Sequence, residues 1–254
     1  MKVILAIPAY NCAPQLKRVL GAIDSEISSR FSHILVIDNI SPDDTAQVAL
    51  SFKKQIKNLV VLKNKKNYSL GGSHKVAFLF AKKVKATHVA ILHGDDQAVA
   101  KELLGLLKVA QSDKSIDAVL GSRFMPGSKL EGYDWKRIAG NRVLNLAYTI
   151  FTLRRCRDLG SGLNLFRLKI LEDQTYLEFA DKLTFNFELL LYLITKKAKI
   201  TYQPITWREA DQVSNARNFN IAKIAIVNLV KWRFGLLNYP TSHNPSYYES
   251  RELK

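Results

Sequence analysis

VILAIPAYN, residues 3–11, sets five aliphatic side chains in a row and follows them with a proline, an alanine, an aromatic and an asparagine. A short apolar run closed by turn-forming residues reads as a buried strand, here Val3–Ile7, that delivers polar groups at its carboxyl end. The pattern recurs at Ile34–Ile37, Leu59–Leu62, His88–Leu92 and Ala118–Leu120. Between these runs, Pro14–Ile27, Asp43–Lys54, Gly72–Val84 and Lys101–Ser112 carry apolar residues three and four apart, the spacing that gives a helix one apolar face. Parallel strands need a crossover between them, so this alternation predicts an α/β fold: a mostly parallel central sheet flanked by helices, in a Rossmann-like layer suited to a nucleotide.

The rhythm breaks after Gly121. Phe124–Trp135, rich in glycine, proline and charge, reads as a long loop, and long loops in compact domains usually serve function. Arg137–Leu153 follows as a helix whose Arg137, Asn141, Asn145 and Thr149 recur every four positions and predict one solvated face. A last helix, Phe219–Leu237, places Asn220, Lys223, Asn228 and Lys231 within about 140° of one another. Its broad apolar remainder suits either core burial or docking on a bilayer surface. With no repeat, low-complexity tract or linker, one domain is expected over 1–240. It divides into 1–122, 123–218 and the amphipathic helix (219–237), with a loosely held tail over 241–254.

The chain has 254 residues, 47% of them apolar, enough to bury a sizeable core. Its net charge of +16, from 38 basic and 22 acidic residues, favours anionic partners: nucleotide phosphates, nucleic acid or acidic lipid head groups. No basic helix with interleaved exposed aromatics and no recognised motif supports nucleic acid, which is not expected as a partner. Cys12 and Cys156, far apart and without metal-ligand spacing, read as free thiols of a reducing compartment. Pro8 and Asn11 interrupt the first apolar run before a signal peptide could form. No apolar stretch approaches the roughly 20 residues that span a bilayer. The expectation is a cytoplasmic protein, peripheral on the cytoplasmic face of an anionic membrane.

Ligands of open α/β sheets bind beyond the carboxyl ends of the strands. Three such ends are informative: Pro8-Ala9-Tyr10-Asn11, Asp38-Asn39 and His93-Gly94-Asp95-Asp96-Gln97. A carboxylate there can accept from a base or a ribose hydroxyl, and an aromatic can flank the base; taken singly, each is also what an ordinary turn contains. The Gly94–Gln97 turn supplies the oxygen ligands that a hard cation needs when substrate phosphates complete its octahedron, which implies Mg²⁺ or Mn²⁺. Asp95 and Gln97, two apart, can point the same way in an extended turn while Asp96 points elsewhere. His93 reads as a structural histidine before a ligand. Asn67–Gly72 opens a helix but lacks the Lys-Ser/Thr pair or full GxGxxG of phosphate-cradling loops, leaving close packing of Gly71 and Gly72 under a nucleotide.

Seven segments stand in order: IPAYN at Ile7–Asn11, VIDN-S at Val36–Ser41, the Asn67–Gly72 turn, HGDDQ at His93–Gln97, GSRF at Gly121–Phe124, Arg137-x-x-Gly-Asn-Arg142, and DLGSGLNLF at Asp158–Phe166. Together they resemble family 2 glycosyltransferases, in the dolichyl-phosphate mannose synthase and polyprenyl-phosphate glucosyltransferase branch. The resemblance implies a GT-A fold, a GDP- or UDP-sugar donor, a divalent metal, inversion at the anomeric carbon and a polyprenyl- or dolichyl-phosphate acceptor, with 1–122 as the nucleotide-sugar and metal-binding half and 123–218 as the acceptor-binding half. Carried onto this chain, it puts Pro8, Ala9, Tyr10, Asn11, Asp38, Asn39, Gly71 and Gly72 at the donor nucleotide and Asp95 and Gln97 at the metal. Arg123, Arg137, Asn141, Arg142 and Ser161 fall to the phosphates or the acceptor. Between Arg123 and Lys169 there are ten basic residues and three acidic ones, which agrees, although a solvated basic face would count the same. Guanidinium forks suit phosphate.

In-line displacement leaves negative charge on the departing diphosphate, to be stabilised by the metal and the arginines. A phosphate acceptor is already ionised and needs no strong base. A hydroxyl acceptor needs one, and Asp158 is the candidate; it serves equally to position the Ser161-Gly162 turn. The chain departs from the family pattern at His93, the first position of the Asp-x-Asp motif, at Cys12 in place of a glutamate, at Asn39 in place of a second aspartate, and at Glu209–Ser214, which lacks an arginine in register beside Arg208. Two further readings stand beside the first: a family 2 enzyme acting on a hydroxyl of a cell-surface glycan or lipid, and a catalytically degenerate nucleotide-sugar-binding protein.

Overall fold

The computed structural model describes residues 1–211, 218–241 and 243–254. The order is β1 (Val3–Ala9), α1 (Ala13–Gly21), α2 (Ser25–Ser28), β2 (His33–Asp38), α3 (Thr45–Ser51), β3 (Leu59–Asn64), α4 (Ser69–Lys83), β4 (His88–Leu92), α5 (Leu103–Ser112) and β5 (Ala118–Ser122). Then follow β6 (Lys129–Glu131), α6 (Trp135–Thr152), β7 (Leu163–Arg167), α7 (Phe185–Thr195), β8 (Ile200–Pro204), β9 (Thr206–Arg208), α8 (Asn218–Arg233) and β10 (Ser250–Leu253). The five expected strands all form. The expected helix Pro14–Ile27 splits in two because Asp24 caps the second piece, its carboxylate accepting from the Ile27 amide at 2.9 Å.

Eight strands make one sheet in the order β10-β3-β2-β1-β4-β7-β5-β8. The pairs β3–β2, β2–β1, β1–β4 and β5–β8 are parallel; β7 runs antiparallel to both its neighbours and β10 antiparallel to β3. β6 and β9 pair in a separate short ribbon. One core cluster lies under α1, α3 and α5, and the other under α4, α6, α7 and α8. Strand order reverses between β1 and β4, so their carboxyl ends bound a crevice at the switch point. The long loop expected over Phe124–Trp135 holds β6, whose pairing with β9 brings the residues after Arg208 over that crevice.

The tail corrects the expectation of a loosely held end. Residues 250–253 extend the sheet, and Tyr248 is buried. The cause is Lys75, 0% exposed on α4, whose ammonium cannot stay charged in the core without partners. It donates to Asp181 Oδ1 at 2.8 Å, Tyr248 Oη at 2.9 Å, the Leu177 carbonyl at 3.1 Å and the Phe179 carbonyl.

Helix α6 reverses its expected polarity. Asn145 is buried and donates to the Arg157 carbonyl at 2.8 Å, and Thr149 donates to the Asn145 carbonyl, whereas Val143, Leu146 and Ile150 are exposed. The polar stripe satisfies the irregular chain that follows the helix, and the apolar side faces outward. Helix α8 behaves alike: Ala225 and Leu229 are buried, while Ile224, Ile226, Val227 and Val230 stay exposed. It ends at Arg233, short of the expected Leu237, with Gly235 at φ +69° turning the chain out.

Candidate active site

The crevice floor is built by main-chain contacts between strand ends. The Gly94 amide donates to the Pro8 carbonyl at 3.0 Å and the Asn39 amide to the Ala9 carbonyl at 3.0 Å, tying the ends of β4, β1 and β2 together. Pro8 and Ala9 are therefore buried backbone supports, and Tyr10 stands 45% exposed at the rim. Asn11, at φ +50°, turns the chain over the β2 end, its amide donating to Ser41 Oγ at 3.0 Å.

Asp38 is fully buried; its Oδ1 accepts from the Ser41 amide at 3.1 Å. Oδ2 has no hydrogen-bond partner among the described residues, and Lys63 Nζ lies 3.8 Å away. A buried carboxylate oxygen left open is costly, which makes it a ready acceptor for a ligand's N–H or O–H. Asn39 is spent on the scaffold: it donates to Asn67 Oδ1 at 2.8 Å and accepts from Asn64 Nδ2 and the Tyr68 amide.

Gly71 and Gly72 correct their expected place under the nucleotide. A Cβ on Gly71 would meet the Ala180 carbonyl at 2.4 Å and Phe185 Cβ at 2.7 Å, and one on Gly72 would meet Tyr68 Cβ at 2.4 Å. Glycine at 71 lets α4 approach α7 and the segment before it, and glycine at 72 leaves room for the Tyr68 side chain at the start of α4 itself.

In the acidic turn, Asp95 Oδ1 accepts from the Gln97 amide at 3.2 Å, and burial holds its carboxyl above the ordinary carboxylate value. Asp96, at φ +60°, is turned the other way onto Arg18, Nε to Oδ2 2.6 Å. Arg18 also grips Asp211 at 2.9 Å. Gln97 Nε2 reaches Glu209 Oε1 at 3.5 Å, and Glu209 takes Arg137 Nη1 at 2.6 and 2.5 Å. Four carboxylates and two guanidinium groups thus gather around the turn. The sequence reading passed over Arg18 and met Glu209 and Asp211 only within a segment that departs from the family pattern, because each lies at least about 75 residues from the turn; only the β6–β9 ribbon brings the last two there. Arg208 is instead committed to Glu131 at 3.1 Å. Of the Glu209–Ser214 segment, Gln212–Ser214 lies outside the described residues.

His93 is structural. Its Nε2 lies 3.3 Å from His74 Nε2 and its amide donates to the Gly162 carbonyl. Burial lowers the pKa of both rings, so the pair is neutral and shares a single donated hydrogen.

Arg123 and Asp158 are corrected together. Asp158 is 3% and Arg123 8% exposed. The Arg123 amide and Nε donate to Oδ2 at 2.9 and 2.8 Å, and Nη2 to Oδ1 at 2.8 Å; the Gly160 amide adds a fourth bond at 3.1 Å. The guanidinium packs over Trp207, 4.8 Å from the ring centre. Burial works to lower the Arg123 pKa, and the attraction of Asp158 outweighs it and holds the value above normal. With both oxygens occupied, Asp158 is the counter-ion of a buried cation and is out of reach of an acceptor proton. Arg123, for the same reason, is not free to clamp a phosphate. Ser161 also turns inward, donating to the Leu163 carbonyl and Asn164 Oδ1. Asn141 holds Tyr133 Oη at 3.1 Å, while Arg142 is exposed on α6.

Neither cysteine is reactive: burial pushes the Cys12 thiol up to about 12 and raises that of Cys156.

The chain is similar to known proteins in sequence and fold. The chain is 25% identical over 235 residues to polyprenol monophosphomannose synthase of Mycolicibacterium smegmatis, covering 91% of this chain and 86% of that one. It is 24% identical over 234 residues to undecaprenyl-phosphate mannosyltransferase of Micrococcus luteus, covering 91% and 94%. Its fold is similar to that of glucosyl-3-phosphoglycerate synthase from Mycobacterium tuberculosis in complex with Mn²⁺, UDP and glucosyl-3-phosphoglycerate, with a TM-score of 0.67, 14% identity, and coverage of 92% and 80%. The family model described as "Glycosyl transferase family 2" matches residues 4–174, from the first strand through the acidic turn and the Arg123–Asp158 pair to the residues beyond β7. On that match and this sheet, the chain belongs to glycosyl transferase family 2 and has the GT-A fold.

Proposed function

We propose that the chain transfers a hexose from a nucleoside diphosphate sugar to a polyprenyl or dolichyl phosphate at the surface of an anionic membrane, with inversion at the anomeric carbon. The observation that carries the acceptor is the course of α6. Its first turn is pinned to the acidic turn through Arg137 and Glu209, and its outer side then runs out as exposed Val143, Leu146, Ile150 and Leu153 beside the exposed apolar residues of α8. Exposed Arg142, Arg154 and Arg155 accompany them. An apolar face flanked by cations and leading to a crevice suits an acceptor with a phosphate head and an apolar tail. Among the described residues no helix is long and apolar enough to cross a membrane, and the contact in this reading is peripheral, on the cytoplasmic face.

Asp38 would accept from the base or ribose through its open Oδ2, with Tyr10 at the base. For the divalent cation, Mg²⁺ or Mn²⁺, the donor set fits: Asp95 and Gln97 offer two oxygen ligands, and an octahedral ion held by two side chains keeps its other positions for phosphate oxygens and water. Bound there, the ion would neutralise the departing diphosphate. The M. tuberculosis synthase complex with Mn²⁺ and UDP supports this reading. Arg137 and Arg142 remain as cations for the second phosphate; Arg137 would exchange Glu209 for it. A phosphate monoester, with a second pKa of about 6, is a nucleophile at neutral pH. The enclosure of Asp158 is then no obstacle.

The test is transfer of labelled hexose from GDP-mannose and UDP-glucose to undecaprenyl phosphate or undecaprenol in mixed micelles. Organic-extractable label that requires the phosphate supports the proposal. Transfer to the alcohol would favour a hydroxyl acceptor, and donor binding without transfer to either would favour the degenerate reading.

A further inference from the structure

At the other end of the same strands, remote from the crevice, the starts of β1 and β4 and the close of β7 open onto a cavity of about 690 Å³. Small-molecule sites occupy roughly 300–1,000 Å³. Its inner wall is apolar, with Phe78 and Tyr176 in edge contact at 5.1 Å and Leu171 beside them. Its polar lining is cationic: Lys82, Lys114, Arg167 and Lys169 against the single acid Glu172. The three lysines carry no ion pair among the described residues, and Arg167 has only a long contact to Asp117, 3.6 Å. Register places Arg167 opposite His88, which burial first and Arg167 second keep uncharged, so the guanidinium is the cation at that pair. Tyr176 is 2% exposed and lines the cavity, and its phenol O–H is a donor suited to an anionic head.

We propose that this cavity binds an amphipathic organic anion, its compact apolar body against Phe78, Leu171 and Tyr176 and its carboxylate, sulfonate or phosphate head held by Arg167, Lys169 and the Tyr176 hydroxyl. The site is separate from the donor crevice, and its occupant need not be a substrate.

The probe is 1-naphthyl phosphate, titrated calorimetrically into the full chain with the crevice saturated by Mn²⁺ and a nucleoside diphosphate. Binding is expected to persist under saturation, and 1-naphthol and inorganic phosphate are each expected to bind at least about tenfold more weakly, because each lacks half of the recognition. Lys169→Gln and Tyr176→Phe should each weaken the probe about tenfold. Lys169 is exposed, so its variant keeps the fold intact should a change at buried Tyr176 disturb it. Displacement of the probe by nucleotide, equal binding of naphthol, or unchanged affinity in Lys169→Gln would each overturn the proposal.

Discussion

Replacing Asp158 by asparagine separates two roles that the sequence left level. The side chain keeps its shape and loses its charge, so Arg123 stays buried against Trp207 with no counter-ion. Removing one partner of a buried pair costs about 3–5 kcal/mol. At this size each kcal/mol moves the unfolding midpoint by about 2–4 °C, so a fall of about 6 to 20 °C is expected. The double variant Arg123→Met/Asp158→Asn removes the stranded cation as well and should recover at least about half of that loss, since a neutral pair of similar volume is tolerated where a lone charge is not. Differential scanning calorimetry reads the midpoints, and hexose transfer assayed from pH 5.5 to 8.5, well below the midpoint, reads the chemistry. Activity per folded molecule should retain its pH dependence. An unchanged midpoint, with turnover collapsed and the acid limb of the profile gone, would show Asp158 to be a base and refute the structural account.

Three other outcomes are expected. Burial raises the Asp95 pKa above the ordinary carboxylate value of 3.8, so protons compete for it into higher pH: metal-dependent donor binding should weaken as pH falls through that raised value, while for the metal-free protein this group's contribution to stability is present below the ordinary pKa and lost as pH rises through the raised one; titrations from pH 4 to 8 check both. Tyr248→Phe removes donors and acceptors shared with Lys75 and Asp181 and should cost about 1–3 kcal/mol in urea unfolding; a loss near zero would return the tail to a loose appendage. Leu146→Glu/Ile150→Glu should release the protein from anionic liposomes in sedimentation with little change in thermal midpoint, because both side chains are exposed; unchanged sedimentation would remove α6 from the membrane surface.

The first five strands were legible because each is a continuous apolar run, and a strand buried on both faces must be one. β7 was hidden inside a segment read for its motif, DLGSGLNLF, and β10 in a tail whose Ser-Arg-Glu-Leu has no strand pattern; an edge strand takes its stability from main-chain pairing and needs little of its own. The α6 polarity was misread for a physical reason: periodicity marks two faces but does not say which faces water, and here Asn145 and Thr149 are wanted inside to satisfy the chain from Cys156 to Arg157. At the crevice, strand ends pointed to Asp38 and Asp95, and the structure sets both at the carboxyl ends of β2 and β4. Arg123, Asp158 and Ser161 had the right chemistry, but burial, which no motif displays, had already paired them.

The central claim is that the switch-point crevice, through Asp95 and a divalent cation, holds a nucleoside diphosphate. Calorimetric titration of GDP and UDP into the native protein and into Asp95→Ala, each with and without Mn²⁺, tests it directly. The account predicts binding of one nucleotide that tightens with Mn²⁺ in the native protein and does not respond to Mn²⁺ in the variant. The same Mn²⁺ dependence in both proteins, or no binding of either nucleotide, would contradict it.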